Sequence, residues 1–93
     1  MALYIITCID KPNALDVRLA NRQAHLDYAK DWCGRMLVGG PLLSDDGEKM
    51  QGSMLILDVE DRAQVDAFIQ NDPYGKAGLF ESVTVRRYKK VLP

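Results

Sequence analysis

Ninety-three residues with 47% hydrophobic and 27% charged content fit one soluble globular domain built on a single core. The formal net charge of -1 supplies no global field to attract nucleic acid or an acidic membrane, which argues against nonspecific polyanion binding. A chain this short buries a limited share of its surface, so without disulfides or a metal it commonly gains stability by oligomerising.

The chain enters strand-like sequence at once, with no basic region followed by a cleavable apolar segment and no apolar run of membrane-spanning length, so the cytoplasm is the expected location. Leu3 to Ile9 is rich in β-branched and aromatic residues and ends at the turn formers Asp10-Lys11-Pro12-Asn13. Both faces of this strand are mainly apolar, which predicts a central strand with both sheet faces covered.

A helix is expected from about Ala14 to Cys33. On it Leu15, Leu19, Leu26, Ala29 and Cys33 form one apolar stripe suited to a core. Arg18, Arg22 and His25 form a second line beside that stripe, at the margin between core and solvent where pocket walls are built. His25 is the only histidine, so any imidazole chemistry must be its own. A half-buried histidine serves as general base or acid when a carboxylate fixes its tautomer, although lone histidines on helix margins are more often structural or solvated.

Gly34 is a natural helix C-cap, and Met36-Leu37-Val38 reads as a short second strand stopped by Gly39-Gly40-Pro41. No GxGxxG or Walker pattern is present, so no nucleotide site is assigned. Ser44-Asp45-Asp46-Gly47-Glu48-Lys49 predicts a solvated hairpin tip; its carboxylates do not have calcium-loop spacing. Gly52 to Glu60 is the other central strand, and Asp61 with Gln64 has capping-box spacing at the start of a second helix whose stripe is Val65, Phe68 and Ile69.

That helix should end near Asn71-Asp72-Pro73, because the residue before a proline is pushed out of the helical region. Pro73 to Phe80 reads as an ordered loop or one short turn, and Ser82 to Lys90 as a last strand with Val83 and Val85 on one side. Cys8 and Cys33 lack CxxC or metal-ligand spacing and are read as reduced, mostly buried thiols.

The order β-α-β-β-α-β is a ferredoxin-like split βαβ unit, an α+β fold with an antiparallel sheet. Two helices on one sheet face leave the other, apolar face open, so two subunits should bury these faces together as a homodimer. Asp72 is the candidate partner of His25: a carboxylate that accepts one ring N-H leaves the other nitrogen free to take a proton. The competing reading of Asp72 is a local turn at the helix end.

Arg22-Gln-Ala-His25-Leu26, Gly40-Pro41, Gly52-Ser53, Asn71-Asp72-Pro73-Tyr74 and Ala77-Gly78-Leu79-Phe80 occur in the order found in the YciI-like family, the YCII-related domain, which this chain resembles over essentially its whole length. The resemblance implies a ferredoxin-like fold, a dimeric α/β barrel, and a site containing His25 and Asp72. Arg22 matches the family's arginine three before the histidine, and Gly40, Pro41 and Ser53 match positions near the pocket mouth. Tyr88 stands where relatives often have tryptophan. Relatives are associated with dehydrochlorination of hydroxylated aromatics.

These features together suggest a small cofactor-independent enzyme of lyase or isomerase type, with no metal, acting on a small hydroxylated or anionic, possibly aromatic, substrate. His25 would move the proton, Asp72 would orient the imidazole, and Arg22 would either neutralise an anionic oxygen or pair with an acid such as Asp72. Tyr4, Trp32, Tyr74 and Phe80 could line the pocket or simply pack. The alternatives are a non-catalytic small-anion-binding or accessory module using the same pocket, and an interaction domain contacting partners through Arg86, Arg87, Lys89 and Lys90.

Overall fold

The computed structural model describes residues 1–93. Strand β1 (Ala2–Asp10) leads into helix α1 (Leu15–Lys30), followed by a 3-10 turn (Cys33–Arg35). The hairpin β2 (Met36–Leu43) and β3 (Met50–Val59) comes next, then α2 (Arg62–Asn71), the short helix α3 (Pro73–Lys76) and β4 (Phe80–Tyr88). The four strands form one antiparallel sheet in the order β2-β3-β1-β4, the ferredoxin-like arrangement in which β1 and β3 are central.

Strand register sets the faces. Ala2, Tyr4, Ile6 and Cys8 pair with Val59, Leu57, Leu55 and Ser53, so these eight side chains share the helix-covered side. The main core is Ile6, Cys8, Leu55, Leu57 and Val59 packed under Val65 and Phe68 of α2, with Tyr28 of α1 and Trp32 just beyond its end closing it. Tyr28 also donates its hydroxyl to the Phe68 carbonyl at 2.8 Å, tying α1 to α2. A smaller cluster of Ala14, Tyr74 and Leu79 fills the other end of the layer. On the open side, Ile5, Ile9, Met54, Ile56, Val38 and Leu42 make a largely apolar surface, with Ile9 and Val38 exposed.

Local signals account for most boundaries. Asp61 caps α2 by accepting from the Gln64 N–H, while the Gln64 side chain reaches back to the N–H of Glu60, one residue before the cap. Ser44 closes the β2–β3 hairpin through backbone and hydroxyl contacts with Lys49 and Asp46. Helix α2 stops at Asn71, ahead of Pro73, which occupies the first turn of α3 where its missing N–H is not needed.

Three expectations are corrected. Leu15, Leu19 and Cys33 do not enter the core: all three are exposed, and α1 buries Arg18 and His25 instead. The helix is rotated so that its polar line faces the sheet, which is tolerable because each buried polar group there has a partner. Gly34 is not the C-cap of α1, which ends at Lys30 with Asp31 in that role; Trp32, seated edge-on against Phe68 and covered by the Arg35 guanidinium, draws the chain out of the helix. Nor does Gly39-Gly40-Pro41 stop β2, which continues to Leu43 because it is an edge strand, where a proline N–H is not missed.

Glycine is required at Gly52. A Cβ there would collide with the carbonyl oxygen of Cys8, so only a glycine lets β3 lie this close to β1 and holds the next residue, Ser53, under α1.

Burial pushes the Cys8 thiol up to about 12, with Asp72 and Asp10 adding to the shift and Arg18 opposing it. A folded-state value above the unfolded one means that the native chain holds the proton more tightly, so this contribution to stability is complete below about pH 9 and is lost as pH rises toward 12. Urea midpoints measured from pH 8 to 11 should therefore fall, and fall less steeply in Cys8→Ala. At pH 8 a thiol-alkylating reagent should label the exposed Cys33 of the native protein and both cysteines only after unfolding.

Candidate active site

The site is built from the polar face of α1. Arg18 and His25 are seven residues apart, about 10.5 Å along the helix, and both are buried. The sheet supplies the partners of Arg18. Strand alternation puts Asp10 on the same side as Ile6 and Cys8, where its carboxylate accepts from Arg18 Nε at 2.7 Å and Nη2 at 3.0 Å. The same Nη2 donates to Ser53 Oγ at 2.8 Å. Burial opposes the charge of Arg18, but the hydrogen bonds and charge of Asp10 outweigh it and hold the guanidinium pKa above its ordinary value.

His25 Nδ1 lies 2.8 Å from Asp72 Oδ1, and both residues are buried. An ionised carboxylate can only accept, so Nδ1 carries the proton and Nε2 is the basic nitrogen. The same Asp72 oxygen accepts the backbone N–H of Tyr74 at 3.0 Å. The local-turn role and the histidine contact of Asp72 therefore coexist: capping α3 orients the carboxylate that meets the imidazole.

Tyr74 touches every part of this arrangement. Its ring stacks on His25 with centroids 4.0 Å apart and planes 12° from parallel, and the Arg18 guanidinium carbon lies 4.7 Å from its centroid. Two turns of α1 separate the imidazole from the guanidinium, about the gap that one intervening ring fills. Phe80 supports the ring edge-on. Burial raises the Tyr74 hydroxyl pKa, against the opposing influence of Arg18 and Arg22.

A cavity of about 440 Å³ opens between α1, the edge strand β2 and β3. Arg18, His25, Ser53 and Tyr74 line its inner end, Gly40 and Pro41 its β2 wall, and Arg22 its rim. Asp72 does not line it, so the carboxylate stands behind the imidazole. Of the four aromatics considered from sequence, Tyr74 alone borders the cavity; Tyr4, Trp32 and Phe80 pack against the two cores. Arg22 is exposed and forms no ion pair, so the suggested pairing with Asp72 is not made. No group of three or more His, Cys, Asp or Glu comes together that could hold a metal ion.

Sequence reasoning missed Arg18 and Asp10 as site residues. Asp10 was legible only as a turn former, and the one available signal for Arg18 was its place on the His25 face of the helix.

The sequence profile of the YCII-related domain matches residues 2–89. The chain belongs to this family. Protein YciI of Escherichia coli O6:H1 is 36% identical over 97 residues, covering 96% of this chain and 98% of that protein. An uncharacterized protein of Haemophilus influenzae is 35% identical over 95 residues, covering 95% of this chain and 97% of its own. Among solved structures, the 5-chloro-2-hydroxyhydroquinone dehydrochlorinase TftG from Burkholderia phenoliruptrix AC1100, in complex with 2,5-dihydroxybenzoquinone, is 41% identical and superposes with a TM-score of 0.87 over 94% of this chain and 93% of its own. An antibiotic biosynthesis monooxygenase, 16% identical with a TM-score of 0.60 over 99% of this chain and 100% of its own, shares the fold alone. This member of the YCII-related family thus has the ferredoxin-like α+β fold of its relatives, and no helix of it is long and apolar enough to cross a membrane.

Removing one partner of a buried ion pair leaves the other charge uncompensated, at about 3–5 kcal/mol, whereas a surface pair contributes about 1 kcal/mol or less. Asp10→Ala should therefore lower unfolding free energy in urea by about 3–5 kcal/mol, and Asp66→Ala, which removes the exposed partner of Arg62, by about 1 kcal/mol or less.

Proposed function

We propose that this YCII-related domain is a small cofactor-independent enzyme of lyase or isomerase type, with His25 and Asp72 as its general acid/base pair and a small hydroxylated, anionic ring as its substrate. The observation that carries the reading is the 2.8 Å contact between His25 Nδ1 and Asp72 Oδ1, shielded from solvent, with the imidazole on the wall of a cavity that also presents Arg18 and Ser53. The kinship with TftG, a dehydrochlorinase that binds a dihydroxybenzoquinone, points to the same broad substrate class.

Each residue then has a task. His25 Nε2 takes a hydroxyl proton from the substrate, and Asp72 stabilises the imidazolium that results. The negative charge left on oxygen is held by the inner end of the cavity. Ser53 Oγ already accepts from Arg18, so its own O–H is free to donate, and Arg18 Nη1 is not used by Asp10 or Ser53. Nη1 and the serine hydroxyl are thus the donors offered to a substrate oxygen. This transfers to Arg18 the anion-neutralising task that the sequence suggested for Arg22; Gly40 and Pro41 bound the β2 side of the bound ring.

On a chlorinated hydroxyhydroquinone the balance closes without an oxidant. His25 moves one hydroxyl proton to the ring carbon that bears chlorine, giving the keto tautomer; loss of a second hydroxyl proton then forms a carbonyl and expels chloride with the C–Cl electron pair. The net change is loss of HCl.

The test is chloride release from 5-chloro-2-hydroxyhydroquinone, with 2,5-dihydroxybenzoquinone binding measured in parallel. General acid/base catalysis is worth about 10²–10⁴, so His25→Ala should lose turnover by that factor while keeping its fold, and Ser53→Ala should lower it by about 10–10² with His25 intact. Binding of the quinone with no turnover of this or related hydroxylated rings would identify an anion-binding module in place of an enzyme.

We also propose a homodimer joined through the open sheet face, where Ile9 and Val38 are exposed in the single chain although both helices lie on the other side. Sedimentation equilibrium should give twice the chain mass for the wild type and the single-chain mass for Ile9→Asp with Val38→Asp.

A further inference from the structure

The cavity holds more cationic character than the proposed proton transfer uses. Its lining contains Arg18, Arg22 and Lys30 and not one Asp or Glu, in a chain that carries 13 acidic against 12 basic residues. Arg18 is committed to Asp10 and Ser53 at the inner end. Lys30 leans toward Asp27 at 3.9 Å. Arg22 has no ionic partner, and its neighbours three and four positions away, Arg18, Leu19, His25 and Leu26, offer no carboxylate. The exposed arginine Arg62, by contrast, is paired with Asp66 at 3.1 Å.

Position and volume assign Arg22 a different task from Arg18. One turn of helix, about 6 Å of rise, separates the two arginines, and apolar surface from Leu26, Met36 and Leu55 lies in the same lining. A cavity of about 150 Å³ accommodates a benzene ring, so the roughly 440 Å³ here leaves space for a substituent beyond a ring seated against His25 and Ser53. We infer that the substrate bears a second anionic group, a carboxylate on a short side chain, and that Arg22 at the cavity rim is the residue that selects it. This rests on the hydroxylated-ring reading of the inner site. A guanidinium presents two parallel N–H donors to a carboxylate, and the apolar walls keep the intervening chain out of water.

The experiment uses a pair that differs in charge alone, 2,5-dihydroxyphenylacetate and its primary amide, with 2,5-dihydroxybenzoquinone as the probe of the inner site. Affinities are read by calorimetry on wild type and Arg22→Gln. The acid should bind the wild type about tenfold more tightly than the amide, and this preference should fall below about twofold in Arg22→Gln. The quinone affinity should change by less than about twofold in that variant. Equal affinity for acid and amide on the wild type, survival of the preference in Arg22→Gln, or an equal loss of quinone binding in the variant would each overturn the inference while leaving the inner site standing. Failure of all three compounds to bind the wild type would remove the hydroxylated-ring reading itself, and this inference with it.

Discussion

A guanidinium buried beneath a helix in a domain with a single small core is the constraint around which the rest of this structure is arranged. Arg18 can face the sheet because Asp10 and Ser53 meet it there. Strand alternation puts Asp10 on the side of Ile6 and Cys8, and Ser53 stands opposite Cys8 on a β3 that Gly52 lets approach the Cys8 carbonyl. Two polar residues on one sheet face thus satisfy one buried charge. With those partners, the polar line of α1 faces inward and His25 is carried toward Asp72 on the same face.

Tyr74 links the two halves of the site. Its backbone N–H fixes the Asp72 carboxylate, its ring lies against His25, and the Arg18 guanidinium approaches the same ring. Pro73 places this residue by starting α3 immediately after α2 has ended, so the Asp-Pro-Tyr run is one mechanical unit. The aromatic ring also closes the small cluster with Ala14 and Leu79, which anchors the unit to the start of α1. Packing and polar geometry are therefore supplied by the same residue.

What was legible in the sequence follows from the range of the interactions involved. The cap at Asp61, the hairpin tip at Ser44–Lys49 and the stop before Pro73 are decided within a few residues, and the structure has each of them. The order of strands and helices follows from these local signals and gives the ferredoxin-like topology. The facing of α1 does not. Leucine periodicity favours Leu15 and Leu19 as core residues, yet both are exposed, because α1 turns its Arg18–His25 line to the sheet, where Arg18 meets Asp10, a residue read as part of a turn. Leu26 and Ala29, from the same stripe, line the cavity wall. An apolar stripe on a short helix marks a surface that avoids water, and a ligand cavity meets that need as well as a core does.

Charge shows the same contrast between global and local scales. A net charge of -1 supplies no global field that would gather polyanions, but says nothing about a concavity from which carboxylates are absent. Arg18 is neutralised in part by Asp10, so its field at the cavity is that of an oriented donor more than of a full charge. Arg22, with no such partner, presents its full charge but stands at the rim, where solvent screens it. The gradient this creates runs from a screened, long-range attraction at the entrance to a short-range, geometrically fixed pair of donors beside the imidazole. On the proposed reading the two act on different groups of one ligand, the fixed inner donors on a ring oxygen and Arg22 on the second anionic group.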